Sequence, residues 1–328
     1  MIPNEIHRLC LLGGTGSLGQ AVIDRLPDAV EVLAVSRDEQ KLVALSRKYA
    51  SRTSVSFRLG DVRNYDDVER AIVGCDAVVY MAAVKHVPVC EDHPEEAVKT
   101  NILGALNVLT AVRRLDRSRC PSRIVAISTD KAVDPINVYG MSKALQERVW
   151  TAYARQHSFP CVSVVRYGNV LGSNGSIVPV IESLHRTGRA ITVTDPTMTR
   201  FLFTLDGAVD LIAHALSAKH GSLLVPDLSS CTVKDIVDYM VTDEYPIETV
   251  GVRPGAKWHE SLISSYEQVV QTVDGPLSVG GRIFSVEQAR SAGGGAFSSA
   301  DRLLARAEVF TYLQAAGVAR LDQFRNTT

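Results

Sequence analysis

Short apolar runs alternate with segments of helical spacing from the start of the chain to about residue 170. Each run is four to eight residues long and almost uninterrupted by polar residues, which is typical of strands buried on both faces. Between the runs, apolar residues recur every three or four positions, as Leu18, Ala21, Val22 and Leu26 do. The runs predict strands within 8–12, 29–38, 55–64, 76–84, 123–129 and 161–170.

This alternation predicts an α/β fold with a doubly wound parallel sheet of the Rossmann type and right-handed crossovers. Later in the chain, 204–218 reads as one more helix and 221–228 as one more strand of the same sheet. We therefore expect a dinucleotide-binding domain in residues 1–168 and about 203–226. The rest, about 169–202 and 227–328, has shorter and less regular elements. We expect it to form a smaller mixed α/β lobe that binds substrate.

Composition excludes several classes of protein. The chain has 328 residues, 46% of them hydrophobic and 22% charged, and a formal net charge of −1. A nearly neutral chain is not attracted as a whole to nucleic acid or to an anionic membrane surface. No apolar run reaches the roughly 18 residues of a membrane span, the six cysteines have no C-x-x-C spacing, and the histidines form no metal-binding cluster. We expect a cytoplasmic protein with reduced thiols and no resident metal.

The turn after the first strand has three glycines in the pattern G-x-x-G-x-x-G, at Gly13, Gly16 and Gly19. Glycine lets the backbone approach a pyrophosphate closely, and the following helix N-terminus offers free N–H groups. In this strand–turn–helix context the motif predicts a dinucleotide site. We place the rest of the loop, Thr15, Ser17 and Leu18, in the same site.

The end of the second strand indicates which dinucleotide binds. An acidic residue there would bond the ribose hydroxyls of NAD, whereas this strand ends in Ser36 and Arg37, with Lys41 one turn later. A hydroxyl and a guanidinium suit a 2′-phosphate, so we expect NADP, while Asp38 keeps NAD possible. Further cofactor contacts are expected after the third and fourth strands, from Asp61, Val62, Ala82 and Ala83.

A Tyr-x-x-x-Lys pair, Tyr139 and Lys143, lies on one face of the helix after the fifth strand. A tyrosine with a pKa near 10 must fall by roughly three units to act as a base near neutrality. A nearby ammonium and a nicotinamide cation can lower it. Thr129, at the end of the fifth strand, is placed to bond the same substrate hydroxyl.

At this point the chain resembles the extended short-chain dehydrogenase/reductases, and more narrowly the inverting UDP-N-acetylglucosamine 4,6-dehydratases. The matching stretches lie between residues 9 and 260. They are "GGTGSLG", "SRDEQK", "AAVKHVP", "KTNILGALNV", "STDKAVDPINVYGMSK", "RYGNVLGSNGSIVP", "TDPTMTRF" and "GVRPGAKWHE". The most specific is "STDKA" joined to "NVYGMSK", since the retaining sugar-nucleotide dehydratases have an Asp-Glu pair where this chain has Asp130-Lys131.

The resemblance implies a sequence of steps. Tyr139 takes the proton of the sugar's 4-hydroxyl as carbon 4 is oxidised, which acidifies the proton on carbon 5. Neutral Lys131 removes that proton and Asp130 protonates the departing 6-hydroxyl. Hydride returns to carbon 6, and carbon 5 is reprotonated on the other face. We expect burial beside Lys143 and the nicotinamide cation to lower the pKa of Lys131 toward 7–8, with Asp130 acting in the opposite direction unless it is protonated, so that the pair titrates together.

The resemblance also implies substrate contacts and an assembly. Lys85, Asn169, Thr194, Arg200 and Arg253 are expected near the sugar nucleotide, together with Thr129. One position departs from the family pattern, since "RPGAK" has Ala256 where relatives have a glutamate. In this family, helices corresponding to 94–115 and 139–156 pair across dimers, so we expect a homo-oligomer.

Three other functions remain open from the sequence. A UDP-sugar 4-epimerase needs Tyr139, Lys143 and the cofactor but not Lys131. A related dehydratase would act on another N-acetylhexosamine nucleotide. A non-catalytic NADP-sensing protein could share the fold, although such sensors tend to lose the tyrosine that this chain keeps.

Overall fold

The computed structural model describes residues 2–242, 245–288 and 295–321. Nine strands form one sheet in the order β13-β14-β9-β6-β5-β4-β1-β2-β3, and six short strands pair in twos. The strands are β1 Arg8–Leu12, β2 Glu31–Ser36, β3 Val55–Leu59, β4 Ala77–Tyr80, β5 Arg123–Thr129, β6 Cys161–Tyr167, β7 Ile191–Val193, β8 Thr199–Phe201, β9 Leu223–Pro226, β10 Ser230–Thr232, β11 Ile247–Thr249, β12 Ser261–Ile263, β13 Glu267–Asp274, β14 Arg282–Gln288 and β15 Phe297–Ser298.

Helices connect the strands and pack on the sheet. Helix α1 packs against α9, whereas α3, α6 and α7 pack against one another in turn. The helices are α1 Ser17–Arg25, α2 Glu39–Lys48, α3 Tyr65–Ile72, α4 Val87–Asp92, α5 Pro94–Ala97, α6 Gly104–Arg114, α7 Val138–Gln156, α8 Ile177–Arg186, α9 Leu205–Ser217, α10 Val233–Met240 and α11 Arg306–Ala315.

The prediction of a doubly wound, mostly parallel sheet is confirmed. Strands β3, β2, β1, β4, β5, β6 and β9 are parallel to one another, and all six strands expected before residue 170 are present. The core of β1, β4 and β5 is completely enclosed, since residues such as Leu11, Val79 and Ile124 have no exposed surface. This arrangement brings the carboxyl ends of the parallel strands to one edge, where ligands of such sheets bind.

Two features differ from the expected pattern. The segment 94–115, expected as one helix, is divided by a π-helical turn at Val98–Leu103 between α5 and α6. Strands β13 and β14 were expected in the substrate lobe, but β14 pairs antiparallel with β9 and β13 pairs with β14, so both extend the main sheet. In β14, Ile283 and Val286 belong to the main hydrophobic core. A two-stranded hairpin by itself has no such core and is only marginally stable.

A second, smaller core supports the remaining part of the expected lobe. It contains buried residues of α8, α10 and α11, including Ile181, Val237 and Leu313. The short pairs β8–β10 and β7–β11 lie in this region. The parts of the expected lobe at 289–294 and 322–328 lie outside the described residues. None of the helices in the described part of the chain is both long and apolar enough to span a membrane.

Candidate active site

The glycine loop is shaped by close backbone contacts. Gly13 has φ +89°, and a side chain there would lie 2.7 Å from the backbone of Ala82 at the end of β4. At Gly16, by contrast, an added Cβ would meet nothing closer than 3.8 Å, so its backbone faces open space. The loop therefore packs tightly onto the sheet at Gly13 and leaves room for a ligand at Gly16, as a pyrophosphate-binding turn requires.

The polar groups at the end of β2 are linked to this loop. The hydroxyl of Thr15 donates to Ser36 Oγ at 2.9 Å. Asp38 accepts from the backbone N–H of Lys41 at the start of α2, and its carboxylate lies 2.7 Å from Lys41 Nζ. Arg37 is exposed beside them. Two cationic side chains, Arg37 and Lys41, thus lie at the end of β2, and one of them is already paired with Asp38.

One cavity of about 750 Å³ runs along the carboxyl edge of the sheet. Every residue predicted to bind cofactor or perform catalysis lines it, together with Lys85 and Asn169. The predicted cofactor residues on its wall are Gly13, Thr15, Gly16, Ser17, Leu18, Gly19, Ser36, Arg37, Lys41, Asp61, Val62, Ala82, Ala83, Tyr139 and Lys143. The residues present thus fit a dinucleotide. Asp61 already pairs with Arg63 at 2.6 Å, so an adenine amino group would share its carboxylate.

Tyr139 lies in the first turn of α7, which begins where the Asn137 side chain accepts a hydrogen bond from the Gly140 N–H at 2.7 Å. Burial raises the pKa of Tyr139 to about 12, although the charge of Lys131 and a hydrogen bond with Thr129 act in the opposite direction. The sequence led us to expect a lowered pKa. In the ligand-free chain the phenol is therefore protonated at neutral pH, and the lowering must come from charge added with the ligands.

Lys143 is buried one turn further along α7, and it is held by polar neighbours. Its ammonium donates to the Ile127 carbonyl at 2.6 Å and to the Gln146 side chain. Gln146 in turn donates to the Asn101 carbonyl at 2.6 Å, in the π-helical turn. Burial lowers the pKa of Lys143 to about 7. This lysine can therefore change charge near neutrality while its position remains fixed.

This lowered pKa predicts a pH-dependent contribution to stability. Because the folded pKa is about 7 and the ordinary value is 10.5, the unfolded chain binds more protons between these values, and stability rises with pH across that window. We expect wild type to gain up to about 1.4 kcal/mol per pH unit in free energy of unfolding relative to Lys143→Met. Urea unfolding of the ligand-free proteins at pH 7 and pH 9 measures this difference.

Lys99→Met is the matched control, since Lys99 is exposed and pairs with Glu96 at 3.2 Å. The difference in free energy of unfolding between Lys99→Met and wild type should be the same at pH 7 and pH 9. A Lys143→Met difference that is also independent of pH would contradict the assignment of a neutral, buried amine.

Lys131 lies in the 3₁₀ turn Asp130–Ala132 that follows β5. Its Nζ is 3.2 Å from Asp130 Oδ1, 3.3 Å from Asn169 Oδ1 and 3.0 Å from Glu260 Oε1. Asp130 and Glu260 are both buried, and each has a second oxygen with no hydrogen-bond partner among the described residues. A lysine and two carboxylates thus form a buried cluster on one side of the cavity, which we call the Lys131 cluster.

The protonation of this cluster differs from expectation. Burial would lower the pKa of Lys131, but the charges of Asp130 and Glu260 outweigh it and raise the pKa well above that of an ordinary lysine. Burial raises the pKa of Asp130. Burial also opposes ionisation of Glu260, but Lys131 and Arg200 outweigh it and lower its pKa. Without the cofactor, the pKa of Lys131 is thus raised and not lowered, because Glu260 is a second carboxylate partner that the sequence did not reveal.

The residues predicted to bind substrate are separated into three groups. Lys85 lines the main cavity and donates to the Asn174 carbonyl at 2.7 Å, while burial lowers its pKa. Thr194 and Arg200 line a second cavity of about 220 Å³, which shares Asn169 with the first. Arg253 is exposed and lies on the wall of neither cavity. Thr129 and Asn169 line the main cavity with Lys85. The predicted substrate residues thus lie on the walls of two cavities that share Asn169, except for Arg253.

Several residues of the site were not predicted. Gln146 and Asn101 hold Lys143, and Asn101 also donates to Ser142 Oγ at 2.9 Å. Glu260 closes the Lys131 cluster. Asn101 and Glu260 lie inside stretches that carried the family resemblance, "KTNILGALNV" and "GVRPGAKWHE", whereas Gln146 lies three residues beyond "STDKAVDPINVYGMSK". The resemblance was therefore the available signal, but nothing in the local pattern distinguishes these residues from ordinary helix or loop residues.

The arrangement can transfer protons at three neighbouring positions of a bound molecule. The phenol of Tyr139, the carboxyl group of Asp130, whose pKa burial raises, and the side chain of Lys131 line the same cavity as the glycine loop. Groups whose environments move their pKa values apart are typical acid and base pairs. Such a site suits oxidation of an alcohol coupled to further proton transfer.

Comparison with known proteins agrees with this arrangement. Residues 9–278 match the polysaccharide biosynthesis protein family. A UDP-glucose 4-epimerase of Rickettsia conorii is 40% identical over 275 residues, covering 79% of this chain and 78% of that protein. The corresponding protein of Rickettsia canadensis is 39% identical over 269 residues, covering 78% and 77%.

Two solved structures are similar in fold over nearly the whole chain. Pen from Bacillus thuringiensis has a TM-score of 0.85 and 28% identity, covering 95% of this chain and 98% of that one. The dTDP-glucose 4,6-dehydratase DesIV from Streptomyces venezuelae has a TM-score of 0.69 and 20% identity, covering 94% and 97%. The chain therefore belongs to the polysaccharide biosynthesis protein family and has the fold of the extended short-chain dehydrogenase/reductases.

Proposed function

We propose that this protein is a UDP-N-acetylglucosamine 4,6-dehydratase that inverts carbon 5, a lyase that uses a nicotinamide cofactor. The observation that carries the proposal is the Lys131 cluster, whose members Asp130 and Lys131 line the same cavity as Tyr139. Burying an amine and two carboxylates costs several kcal/mol per ion unless they pair well. A reaction that needs only Tyr139 and Lys143 gives no reason for that cost.

We infer the roles of the residues from the family resemblance and from their shared place on the wall of one cavity. When bound, the nicotinamide supplies the hydride acceptor at carbon 4 and the hydride donor at carbon 6. Tyr139 accepts the proton of the 4-hydroxyl, with Thr129 placed to orient that hydroxyl. Lys131 takes the proton of carbon 5, and Asp130 gives its proton to the 6-hydroxyl, which leaves as water. The product is a UDP-2-acetamido-2,6-dideoxy-hexos-4-ulose.

The experiment that tests this function incubates the purified protein with UDP-N-acetylglucosamine and NADP or NAD in D₂O. We expect a product that has lost one water and contains deuterium at carbon 5, detected by mass spectrometry and NMR. Recovery of the 4-epimer alone, with hydrogen retained at carbon 5, would contradict the proposal.

A UDP-sugar 4-epimerase is the second candidate, because the Rickettsia relatives carry the name UDP-glucose 4-epimerase. Such an enzyme oxidises carbon 4 and returns the hydride to the other face of the same carbon, for which Tyr139 and Lys143 suffice. UDP-glucose in the same incubation distinguishes the two. A dehydratase acting on another N-acetylhexosamine nucleotide would lose water from that nucleotide instead.

We propose NADP as the cofactor, and Arg37 as the residue that recognises its 2′-phosphate. Losing one charge-assisted hydrogen bond to phosphate should weaken NADPH binding about tenfold in Arg37→Ala and leave NADH binding nearly unchanged. Titration of the protein's fluorescence with each nucleotide measures both affinities. Arg47→Ala, in the last turn of α2, is the control. Equal loss for NADPH and NADH would count against a 2′-phosphate contact.

We also propose that the protein forms a homo-oligomer. An apolar strip of exposed residues runs along the neighbouring helices α6 and α7 and the π-helical turn, consisting of Val98, Leu103, Leu106, Met141 and Leu145. Exposed aliphatic strips of this kind are typical of subunit interfaces. Light scattering that gave the mass of a single chain at all concentrations would exclude a stable assembly.

A further inference from the structure

The Lys131 cluster contains a carboxylate that the mechanism above does not use. Glu260 Oε1 lies 3.0 Å from Lys131 Nζ, and only 3% of the Glu260 side chain is exposed. Its other oxygen, Oε2, has no hydrogen-bond partner in the described part of the chain. Glu260 does not line the cavity that holds Asp130, Lys131 and Tyr139, so it touches the lysine from behind. A substrate would meet the lysine and not the glutamate.

We propose that Glu260 is a positioning residue that accepts the proton of the Lys131 ammonium when a substrate fills the cavity. Lys131 then becomes a neutral amine without any proton leaving the site. The inference deepens the dehydratase function proposed above and rests on it, since only that function requires a neutral Lys131.

The proton balance of the cluster supports this role. In the proposed resting state, Asp130, whose pKa burial raises, is a carboxylic acid, Lys131 is an ammonium and Glu260 is a carboxylate. After transfer, Asp130 is still protonated, Lys131 is an amine and Glu260 is a carboxylic acid. The N–H bond of the ammonium breaks, an O–H bond forms on Glu260, and the net charge stays the same. Lys131 then has a lone pair for the carbon 5 proton, and Asp130 keeps its proton for the 6-hydroxyl.

The two carboxylates cannot exchange these roles. Asp130 Oδ1 accepts a hydrogen bond from Thr129 Oγ1 at 2.9 Å, and Asp130 lines the cavity, where the leaving group needs its proton. Glu260 does not line the cavity, and its backbone donates to Ser299 Oγ at 2.9 Å and accepts from the Ser299 N–H at 2.8 Å. One carboxyl therefore serves as the acid and the other as the proton store.

The surrounding charges determine when the transfer occurs. Arg200 and Lys257 act on Glu260 and favour its ionised form, while Tyr139 and Asp130 are the other titratable groups near Lys131. Before substrate binds, the Lys131 side chain is 21% exposed, and its solvation by water favours the ion pair. A bound sugar excludes water, which weakens the solvation of a buried ion pair and favours the neutral amine and acid.

The test isolates the carbon 5 step from the redox steps. The cofactor-loaded enzyme is mixed with the preformed 4-keto-6-deoxy sugar nucleotide in D₂O, and loss of the carbon 5 proton is followed by NMR from pH 6 to pH 9. Wild type should exchange at a rate nearly independent of pH, since the reactive and resting states carry the same number of protons. In Glu260→Gln the lysine must release its proton to solvent, so the rate should fall about tenfold per pH unit below its pKa.

Two further variants separate this role from a structural one. Glu260→Asp keeps a proton acceptor and should restore the flat profile at a lower rate. Glu267→Gln is the matched control, because Glu267 is also a buried carboxylate beside a cation, Arg166, at 2.8 Å, away from Lys131. It should keep the flat profile of wild type. Parallel profiles for Glu260→Gln and wild type would overturn the inference.

A measurement without cofactor gives an independent check. In the ligand-free protein, the NMR signal of the Lys131 side chain, assigned with Lys131→Met, should remain that of an ammonium above pH 9. If the Lys131 amine of wild type instead lost its proton below pH 7, the inference would be overturned, because a lysine that is already neutral needs no proton acceptor. If wild type makes no 4-keto product from UDP-N-acetylglucosamine, the proposed function fails, whereas a Glu260→Gln result alone leaves that function standing.

Discussion

Lys131→Met is expected to stop the reaction after carbon 4 has been oxidised. The variant keeps Tyr139 and Lys143, so reduced nicotinamide should form when UDP-N-acetylglucosamine is added. Without the amine, the carbon 5 proton stays in place, and formation of the 6-deoxy product should fall about 10²–10⁴-fold, the usual contribution of a general base. Stopped-flow absorbance of the reduced nicotinamide and NMR of the product measure the two steps separately.

Removal of Lys131 also removes the nearest cation from Asp130 and Glu260, which is destabilising for buried carboxyl groups. Lys131→Arg answers this concern, because a guanidinium keeps the charge but does not lose its proton in proteins. It should show the same arrest with less loss of stability. The control is Lys234→Met, which removes an exposed lysine paired with Asp238 at 2.6 Å and should leave both steps unchanged. A Lys131→Arg enzyme that forms the 6-deoxy product at the wild-type rate would exclude Lys131 as the base.

Tyr139→Phe is expected to block the oxidation of carbon 4 and to leave the carbon 5 step intact, which is the reverse of the result expected for Lys131→Met. Carbon 4 cannot lose its hydride readily while its hydroxyl keeps the proton, so formation of reduced nicotinamide should fall about 10²–10⁴-fold. Exchange of the carbon 5 proton in preformed 4-keto product should persist, since that step uses Lys131. Because burial raises the pKa of Tyr139 to about 12 in the ligand-free chain, the wild-type rate of oxidation should also increase with pH.

Tyr167→Phe is the matched control for this variant, since Tyr167 is a buried tyrosine on the wall of the same cavity. It should oxidise substrate at nearly the wild-type rate. If Tyr139→Phe lost both steps equally, the separation of the two roles would be wrong and the tyrosine would act on binding instead.

The fold could be predicted largely from local patterns. The apolar runs at β1, β4 and β5 are long enough, and free enough of polar residues, to require burial on both faces. Hairpin β13–β14 could not be assigned to the main sheet in the same way. Its outer strand has exposed residues such as Val269 and Val270, so its sequence does not distinguish an edge of a large sheet from a separate small one. The π-helical turn Val98–Leu103 could not be predicted either, because its residues follow the spacing of an ordinary α-helix.

The site was predicted less completely than the fold. Tyr139, Lys143 and the glycine loop have fixed spacing within single elements, so their geometry follows from helix and turn periodicity. Arg253 was placed near the substrate through a resemblance in a loop, and the structure leaves it exposed and off both cavity walls. Loop geometry depends on contacts with distant elements, which a short motif does not encode.

By itself, the sequence determined the order of strands and helices, the phosphate-binding turn and the pairing of a tyrosine with a lysine, because each depends on neighbours a few residues apart. Only the tertiary structure decided the charge of Lys131. Its partners Asn169 and Glu260 come from the end of β6 and from a loop before β12. An electrostatic environment is set by distance in space, and folding alone brings these carboxylate and amide oxygens within hydrogen-bonding distance of one amine.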